Sequence, residues 1–390
     1  MSGRDLFCQP RRIRHGAALT LVFASVLVAG AATGSLPAGD HEPASDPSRQ
    51  AAPAGRHADV ARAAAEAMAD GKSPVEAAER AVSRSGDRWG AVYSPGEYQE
   101  LAEALDGRYT GVGLSVRRGR DGRVEVTEVR SGSPAADAGI RVGDRLRSVD
   151  GGTVDGRPVT EVVALLRGDA ADAPAGSTVR LGLERGTRAW TETVRRAELT
   201  TRPVTVRRLA SGATVVKVAS FTKGVGEEVR TAVRRSPAGA GIVLDLRGNS
   251  GGLVGEAVTA AAAFLDGGLV ATYDVDGEQR ALHAEPGGDT TSALVVLVDG
   301  GTMSAAELLA GALRDRGRAV VVGSRTFGKG SVQMPGTLPD GSVAELTVGH
   351  YRTPAGRGVD GTGITPDLEL DAVDPTALRR AETVLSGLGA

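Results

Sequence analysis

Three glycine-rich segments carry the residues of this chain whose types and spacing could do chemistry. The first reads D-L-R-G-N-S-G-G over residues 245–252, between an apolar run and a helical pattern. The second places Ser304 three residues before Glu307, the spacing of a capping box at a helix start. The third, over residues 326–333, holds Lys329 between two glycines. A serine hydroxyl becomes a nucleophile when a base lies beside it, so these segments together point to acyl transfer.

Ser250, in the first segment, has the G-x-S-x-G spacing of a nucleophile elbow, and G-N-S-G-G is close to the nucleophile sequence of trypsin-like proteases. Both kinds of enzyme need a histidine base. The three upstream histidines fall in a predicted signal or spacer, and the two downstream ones lack a local pattern; they are His15, His41, His57, His283 and His350. A trypsin-like protease using Ser250 therefore stays an alternative.

Lys329 is one of only four lysines in the chain, and Gln333 follows it at a spacing that places both side chains on one face. A glutamine acceptor can hold an uncharged amine in one orientation, as a lysine base requires. Such a base must lose roughly three units of pKa through burial, about 4 kcal/mol, and Phe327 and Val332 could exclude the water. Ser304 would lie at a helix N-terminus, where N–H groups can stabilise an oxyanion, although a capped helix start alone also explains S-x-x-E.

Composition limits the remaining possibilities. The chain has 390 residues, 41% of them apolar, and a formal net charge of -2, which suits two or three globular domains and excludes a basic nucleic-acid binder. The single cysteine, Cys8, excludes an intramolecular disulfide and a cysteine-rich metal site. Residues 1–39 combine early arginines with a long apolar stretch and are predicted to be a signal peptide or membrane anchor, so we expect an exported protein of the cell envelope or extracellular space.

The rest of the chain divides into segments that differ in composition and in the spacing of their apolar residues. Residues 40–57 are a predicted linker, and 58–105 a small helical subdomain. Residues 107–197 are β-rich, 200–375 alternate strands with helices as in a mostly parallel α/β layer structure, and 376–390 form a helical tail. The predicted fold class is thus an α/β core with an inserted β-rich domain and a small N-terminal helical subdomain.

The β-rich segment resembles a PDZ domain through its G-V-G-L loop and its later S-P-A, A-G-I and G-D motifs. The resemblance implies that the loop N–H groups bind the carboxylate of a peptide C-terminus, and that the peptide adds a strand beside the loop. The expected peptide-binding residues are Gly111, Val112, Gly113, Leu114 and Val163. A small β-rich domain with glycine turns is the alternative.

Taken together, residues 58–370 resemble the carboxyl-terminal processing, or tail-specific, serine proteases. The resemblance covers D-L-R-G-N-S-G-G, the Ser304 helix start, T-F-G-K-G-S-V-Q and the later Y-R-T-P-A-G-R and G-I-T-P-D. It implies a catalytic domain with the ClpP and crotonase fold. It also implies that Ser304 is the nucleophile, Lys329 the general base and Gln333 the support of the lysine.

Other roles follow from the same resemblance. The oxyanion hole would be formed by the N–H of Ala305 and one N–H of Gly251 or Gly252, which makes Ser250 a bystander. Glu307, Asp315 and Thr326 match polar positions near the family's site and are expected to have supporting roles. No metal or organic cofactor is implied, the partners would be protein or peptide C-terminal tails, and homo-oligomers are possible. A non-catalytic envelope PDZ scaffold is the alternative outside the enzymes.

Overall fold

The computed structural model describes residues 53–119, 121–168, 173–275, 278–371 and 374–389. The predicted signal peptide or anchor and most of the predicted linker lie outside these residues. Two compact units are present, which we call the small unit, residues 108–200, and the large unit, formed by the described residues on both sides of it. In the described parts of the chain, no helix has the length and apolar character needed to cross a membrane.

The helices of the described residues are, in chain order, α1 Pro53–Ala69, α2 Pro74–Ser85, α3 Pro95–Leu105, α4 Pro134–Asp137, α5 Val159–Arg167, α6 Val225–Arg234, α7 Val254–Ala261, α8 Ala305–Asp315 and α9 Ala377–Gly387. The strands of the first half are β1 Ala91–Tyr93, β2 Arg108–Gly111, β3 Leu114–Arg118, β4 Val124–Val129, β5 Arg145–Val149, β6 Gly152–Thr153, β7 Thr178–Arg185, β8 Arg188–Arg195 and β9 Ala197–Thr200. Those of the second half are β10 Val204–Arg208, β11 Thr214–Val218, β12 Ile242–Asp245, β13 Leu269–Val275, β14 Glu278–His283, β15 Leu294–Val298, β16 Val320–Gly323, β17 Ser331–Thr337, β18 Val343–Arg352 and β19 Leu368–Glu369.

The large unit is built on a six-stranded sheet of order β10-β11-β12-β15-β16-β19, parallel except for β10. Its central strands are apolar on both faces because helices cover both: α6, α7 and α8 pack on one face, and α9 packs on the other. Parallel strands end at one edge of the sheet, so the loops after β12 and β15 lie side by side there. These are the loops that carry the first two glycine-rich segments.

A second sheet of the large unit is centred on β18, which pairs with β1, β13 and β17. One face of β18 packs against α1 and α2 through a core that includes Val60, Val82, Ala344 and Leu346. Residues 53–107 are thereby part of the same compact unit as the α/β sheet. The third glycine-rich segment runs directly into β17.

The small unit contains a sheet of order β3-β4-β5-β7-β8 around a single apolar core. The strand β3 is at the edge of this sheet, and α5 contributes Val162 and Leu166 to the core beneath it. The glycine loop before β3 has a fixed shape, because Gly113 has φ +83 and a Cβ there would lie 2.3 Å from the Cβ of Ser133.

Candidate active site

Ser304 lies on the turn between β15 and α8, at the N-cap of the helix, and is 1% exposed. Its φ of 56° and ψ of -117° belong to a region that residues with a side chain rarely adopt. Backbone strain of this kind costs about 1 to 3 kcal/mol and persists only where the surroundings impose it. The surroundings of Ser304 therefore fix its hydroxyl in a position that an unconstrained helix start would not choose.

Glu307 is the residue that connects the Ser304 turn to the lysine segment. One of its carboxylate oxygens accepts the N–H of Ser304 at 2.8 Å and that of Lys329 at 2.9 Å. The other accepts the hydroxyl of Thr326 at 2.5 Å and the N–H of Gly328 at 2.7 Å. Burial raises the pKa of Glu307 above its ordinary value, against the opposing effect of these hydrogen bonds. Of the predicted supporting positions, Glu307 thus lies in direct contact with the backbone of both candidate catalytic residues, and Thr326 donates its hydroxyl to Glu307.

Tyr351 makes a second connection between the same two residues. Its buried hydroxyl lies 3.0 Å from the carbonyl oxygen of Ser304 and 3.2 Å from that of Lys329, in hydrogen-bonding geometry with both. Together, Glu307 and Tyr351 contact the N–H groups and the carbonyl groups of both residues. The spacing of the serine and lysine backbones is therefore fixed from two sides.

The Lys329 side chain is 1% exposed, although it is a lysine. Its Nζ lies 5.2 Å from the ring centroid of Trp89, which follows α2, and Trp89 in turn packs on Phe327 with ring centroids 5.8 Å apart. Phe327 itself is 43% exposed, so it helps to exclude water from Lys329 only by packing on Trp89. Val332 is buried. Burial lowers the pKa of Lys329 to about 8, against the opposing charges of Glu345, Asp87 and Asp360.

Gln333 is fully buried on β17, and a one-residue register shift in the pairing of β17 with β18 sets its direction. Its Nε2 donates to Ser331 Oγ at 2.8 Å and contacts Thr347 Oγ1 at 3.4 Å. Its Oε1 has no hydrogen-bond partner among the described residues. Because buried polar atoms normally have partners, Gln333 presents an acceptor oxygen that a donor could use.

The glycine loop after β12 lies against the Ser304 turn. A Cβ on Gly251 would lie 3.0 Å from the Cβ of Ser304, and one on Gly252 would lie 2.3 Å from the carbonyl oxygen of Phe221, so both positions require glycine. The N–H of Gly251 donates to Asn249 Oδ1 at 2.8 Å. The N–H of Ala305 belongs to the first helical residue and has no acceptor within its own helix.

A small recess opens beside Ala305. Apolar side chains make up most of its wall, which consists of Val254, Tyr273, Leu282, Ala305, Leu308, Ser331, Val332 and Tyr351. A side chain bound there would be next to the first N–H of α8. The recess is therefore a candidate pocket for the residue whose carbonyl faces Ser304.

Two predicted residues lie elsewhere. Asp315 is at the far end of α8, where it pairs with Arg357 and accepts the N–H of Ala355 at 3.1 Å, so it orders the segment after β18 and does not join the Ser304 cluster. Ser250 makes no hydrogen bond to a histidine in the part of the chain that the structure describes. We find no contact here that would activate Ser250.

In the small unit, the predicted peptide-binding residues lie at the end of β2, in the loop before β3, at the start of β3 and on α5. Gly111 and Val112 are buried, Gly113 makes the turn, and Leu114 and Val163 are half-buried. An extended peptide could pair with β3, because that strand has a neighbour on one side only within the described sheet.

Sequence reasoning missed four residues of the large unit's site: Asp87, Trp89, Glu345 and Tyr351. Asp87 accepts the N–H and the hydroxyl of Thr347, both at 2.7 Å. Tyr351 is the first residue of the Y-R-T-P-A-G-R motif, which by itself indicates no role for its hydroxyl. Trp89 is one of two tryptophans in the chain, which is the one signal that could have singled it out.

Comparisons with known proteins show which families the chain resembles. The model of peptidase family S41 matches residues 212–370, and a PDZ domain model matches residues 125–185. Among curated proteins, the chain is 33% identical to the chloroplastic carboxyl-terminal-processing peptidase 2 of Arabidopsis thaliana, over 75% of this chain and 59% of that protein. It is 32% identical to the carboxy-terminal processing protease CtpA of Bacillus subtilis, over 72% of this chain and 61% of that one. The chain thus spans about three fifths of the length of these relatives.

Among solved structures, the chain resembles a photosystem II D1 C-terminal processing protease. The two are 33% identical with a TM-score of 0.51, and the match covers 81% of this chain and 86% of the other. An S41 protease structure from Bacteroides fragilis has a TM-score of 0.54 at 19% identity and supports the fold alone.

Proposed function

Because the chain belongs to peptidase family S41, we propose that it is a serine endopeptidase that cleaves proteins near their C-termini by a Ser304/Lys329 mechanism. The observation that carries the proposal is the burial of Lys329, with its lowered pKa, in the same hydrogen-bonded cluster as the strained Ser304. A lysine with a pKa of about 8 is partly neutral near physiological pH and can accept a proton.

In the proposed reaction, the neutral amine of Lys329 takes the proton of the Ser304 hydroxyl as the oxygen attacks the scissile carbonyl. The ammonium then gives this proton to the leaving amine, and the acyl-enzyme forms. A water molecule, deprotonated by Lys329 in the same way, attacks the ester; the C–O bond to Ser304 breaks, the Lys329 ammonium returns the proton to the serine oxygen, and the acyl product is released. Each half of the cycle returns Lys329 to its neutral form.

The oxyanion of each tetrahedral intermediate would accept the N–H of Ala305 and that of a loop glycine. Gly252 is the better candidate of the two glycines, because the N–H of Gly251 already donates to Asn249. The Oε1 of Gln333, which has no partner in the regions that the structure describes, is suited to accept a hydrogen bond from Lys329 Nζ and orient the amine. Glu307 acts on the backbone of both residues and has no role in proton transfer.

Recognition of the substrate is proposed to use both units. The edge of β3, with the loop over residues 111–114, would bind the terminal carboxylate and add the tail as a strand. The recess beside Ala305 would accept a small apolar side chain at the cleaved bond. We also propose export to the cell envelope or outside it, on the arginines and apolar stretch of residues 1–39.

The proposal is tested with three variants and one label. Ser304→Ala should abolish peptide hydrolysis, Lys329→Arg should fold but be inactive because arginine keeps its proton, and Ser250→Ala should keep substantial activity. A serine-reactive phosphonate should label Ser304, identified by peptide mapping. Labelling of Ser250 would instead support the trypsin-like alternative, and no hydrolysis or labelling of any serine would support the non-catalytic scaffold.

A further inference from the structure

Glu345 is a buried acid in the large unit that the proposed reaction does not use. It lies in the middle of β18, opposite Ala91 on β1 and Pro335 on β17, and its side chain is completely buried. Neither carboxylate oxygen has a hydrogen-bond partner among the described residues. A buried carboxyl group without partners is costly for the fold, and it contributes no hydrogen bond that would explain its presence.

The position of Glu345 relates it to the lysine. Residues two apart on a strand share a face, so Glu345 lies on the same face of β18 as Thr347, which is paired with Gln333 across the register. The opposite face of β18, with Ala344 and Leu346, packs on α1 and α2. Glu345 therefore faces the polar compartment of Lys329 and Gln333 and not the apolar core of the N-terminal helices.

The compartment contains several charged or titratable groups. Those that interact with Glu345 are Lys329, Tyr93 of β1 and Tyr98 of α3. Those that interact with Lys329 are Glu345 and the two aspartates Asp87 and Asp360. Glu345 is buried, and of the charges that act on Lys329 its charge has the largest effect.

Burial raises the pKa of Glu345 to about 7, against the opposing charge of Lys329. Burial lowers the pKa of Lys329 to about 8, against the opposing charge of Glu345. The two pKa values thus lie close together, and each group favours the charged form of the other. Groups coupled in this way release their protons as a pair over a broadened range of pH.

We propose that Glu345 is a positioning residue of the reaction, whose buried carboxylate controls when Lys329 gives up its proton. The inference rests on the proposed role of Lys329 as the general base. An ionised Glu345 retains the ammonium form of Lys329, which cannot accept the serine proton. A neutral Glu345 lets Lys329 become the free amine at a lower pH.

The direct test observes the lysine itself. In the full chain carrying Ser304→Ala, lysines labelled with ¹³C at Cε report their protonation by NMR during a pH titration. Only four lysine signals exist, and Lys72, Lys217 and Lys223 have side chains that are 67%, 48% and 73% exposed. The Lys329 signal is assigned by its loss in Lys329→Met.

In Glu345→Gln, the midpoint of the Lys329 titration should move to lower pH by about one unit and the curve should narrow to a single step. In the protease with Ser304 intact, the acidic limb of kcat/KM should move in the same direction. Glu278→Gln is the matched control, because it removes the same charge from an exposed side chain of β14 and should change neither curve. A merely structural role for Glu345 would move neither curve.

Glu345→Met provides a second variant, of similar length and without polar atoms, in case the amide of glutamine disturbs the compartment. It should move the Lys329 titration in the same direction. If Lys329 titrates at the wild-type midpoint in both folded variants, the inference is overturned. If the titration moves but the kcat/KM profile does not, Glu345 does control Lys329 and the assignment of Lys329 as the base is wrong instead.

Discussion

Lys329→Met is expected to remove activity and at the same time make the protein more stable. The folded protein holds the pKa of Lys329 at about 8, whereas the ordinary value is 10.5. Each unit of difference corresponds to about 1.4 kcal/mol, so the charged lysine costs the folded state about 3 kcal/mol at neutral pH. Methionine fills a similar volume without a charge and does not incur this cost.

The gain in stability from Lys329→Met depends on pH, because burial lowers the pKa of Lys329. Because the folded protein binds the Lys329 proton more weakly than the unfolded chain, the cost is complete below pH 8 and falls as the pH rises towards 10.5. The advantage of Lys329→Met should therefore be about 3 kcal/mol at pH 7 and below about 1 kcal/mol at pH 10. A gain in stability from side-chain packing alone would be the same at both pH values.

The assay is urea unfolding of Ser304→Ala with and without Lys329→Met, at pH 7 and pH 10. Every variant carries Trp190→Phe, so that tryptophan fluorescence of Trp89 follows the transition of the large unit alone. Lys223→Met is the control, since that side chain is 73% exposed and its removal should change stability little. The reasoning that burial lowers the pKa of Lys329 would be refuted by either of two results. In one, Lys329→Met is no more stable at pH 7; in the other, its gain in stability is equal at the two pH values.

Three further predictions concern the nucleophile, the recess and the tail. Ser304→Gly should be more stable than Ser304→Ala by about 1 kcal/mol in urea unfolding, because glycine relieves the strain at φ 56°; equal stabilities would mean that the turn relaxes. Leu282→Ala should widen the recess and raise kcat/KM for peptides with a larger apolar residue at the cleaved bond relative to those with alanine, and an unchanged ratio would place the pocket elsewhere. A peptide with a free C-terminus should bind Ser304→Ala at least about tenfold more tightly than its amidated form in calorimetry, and equal affinities would count against tail recognition by Val112 to Leu114.

Much of the fold follows from local patterns that the sequence displays. The apolar runs that precede the first two glycine-rich segments are continuous, as in strands buried on both faces, and they correspond to β12 and β15 of the parallel sheet. The mixed α/β fold of an S41 peptidase with a PDZ domain is confirmed. The resemblance to ClpP and crotonase stays a prediction, as do the exact domain boundaries.

The candidate site was predictable where its residues lie in short motifs. Ser304, Glu307, Lys329 and Gln333 fall within one stretch of chain, and their spacing suggested the chemistry. Trp89 and Asp87 could not be found in this way, because they reach Lys329 and Thr347 only after β1 has paired with β18, some 250 residues later in the chain. Contacts made by pairing between distant strands leave no local pattern.

The residues that break local rules in the large unit converge on one place, and this convergence is itself an argument for catalysis. Ser304 has a backbone conformation that suits glycine, and Lys329 is a buried lysine. Gln333 and Glu345 have buried oxygens that find no hydrogen-bond partner within the described parts of the chain. Each feature alone would destabilise a fold that is stable by only a modest margin. A site that concentrates such costs around one hydroxyl and one amine is what a reaction requires, since the same strain and burial that oppose folding hold the proposed nucleophile in place and lower the pKa of its proposed base.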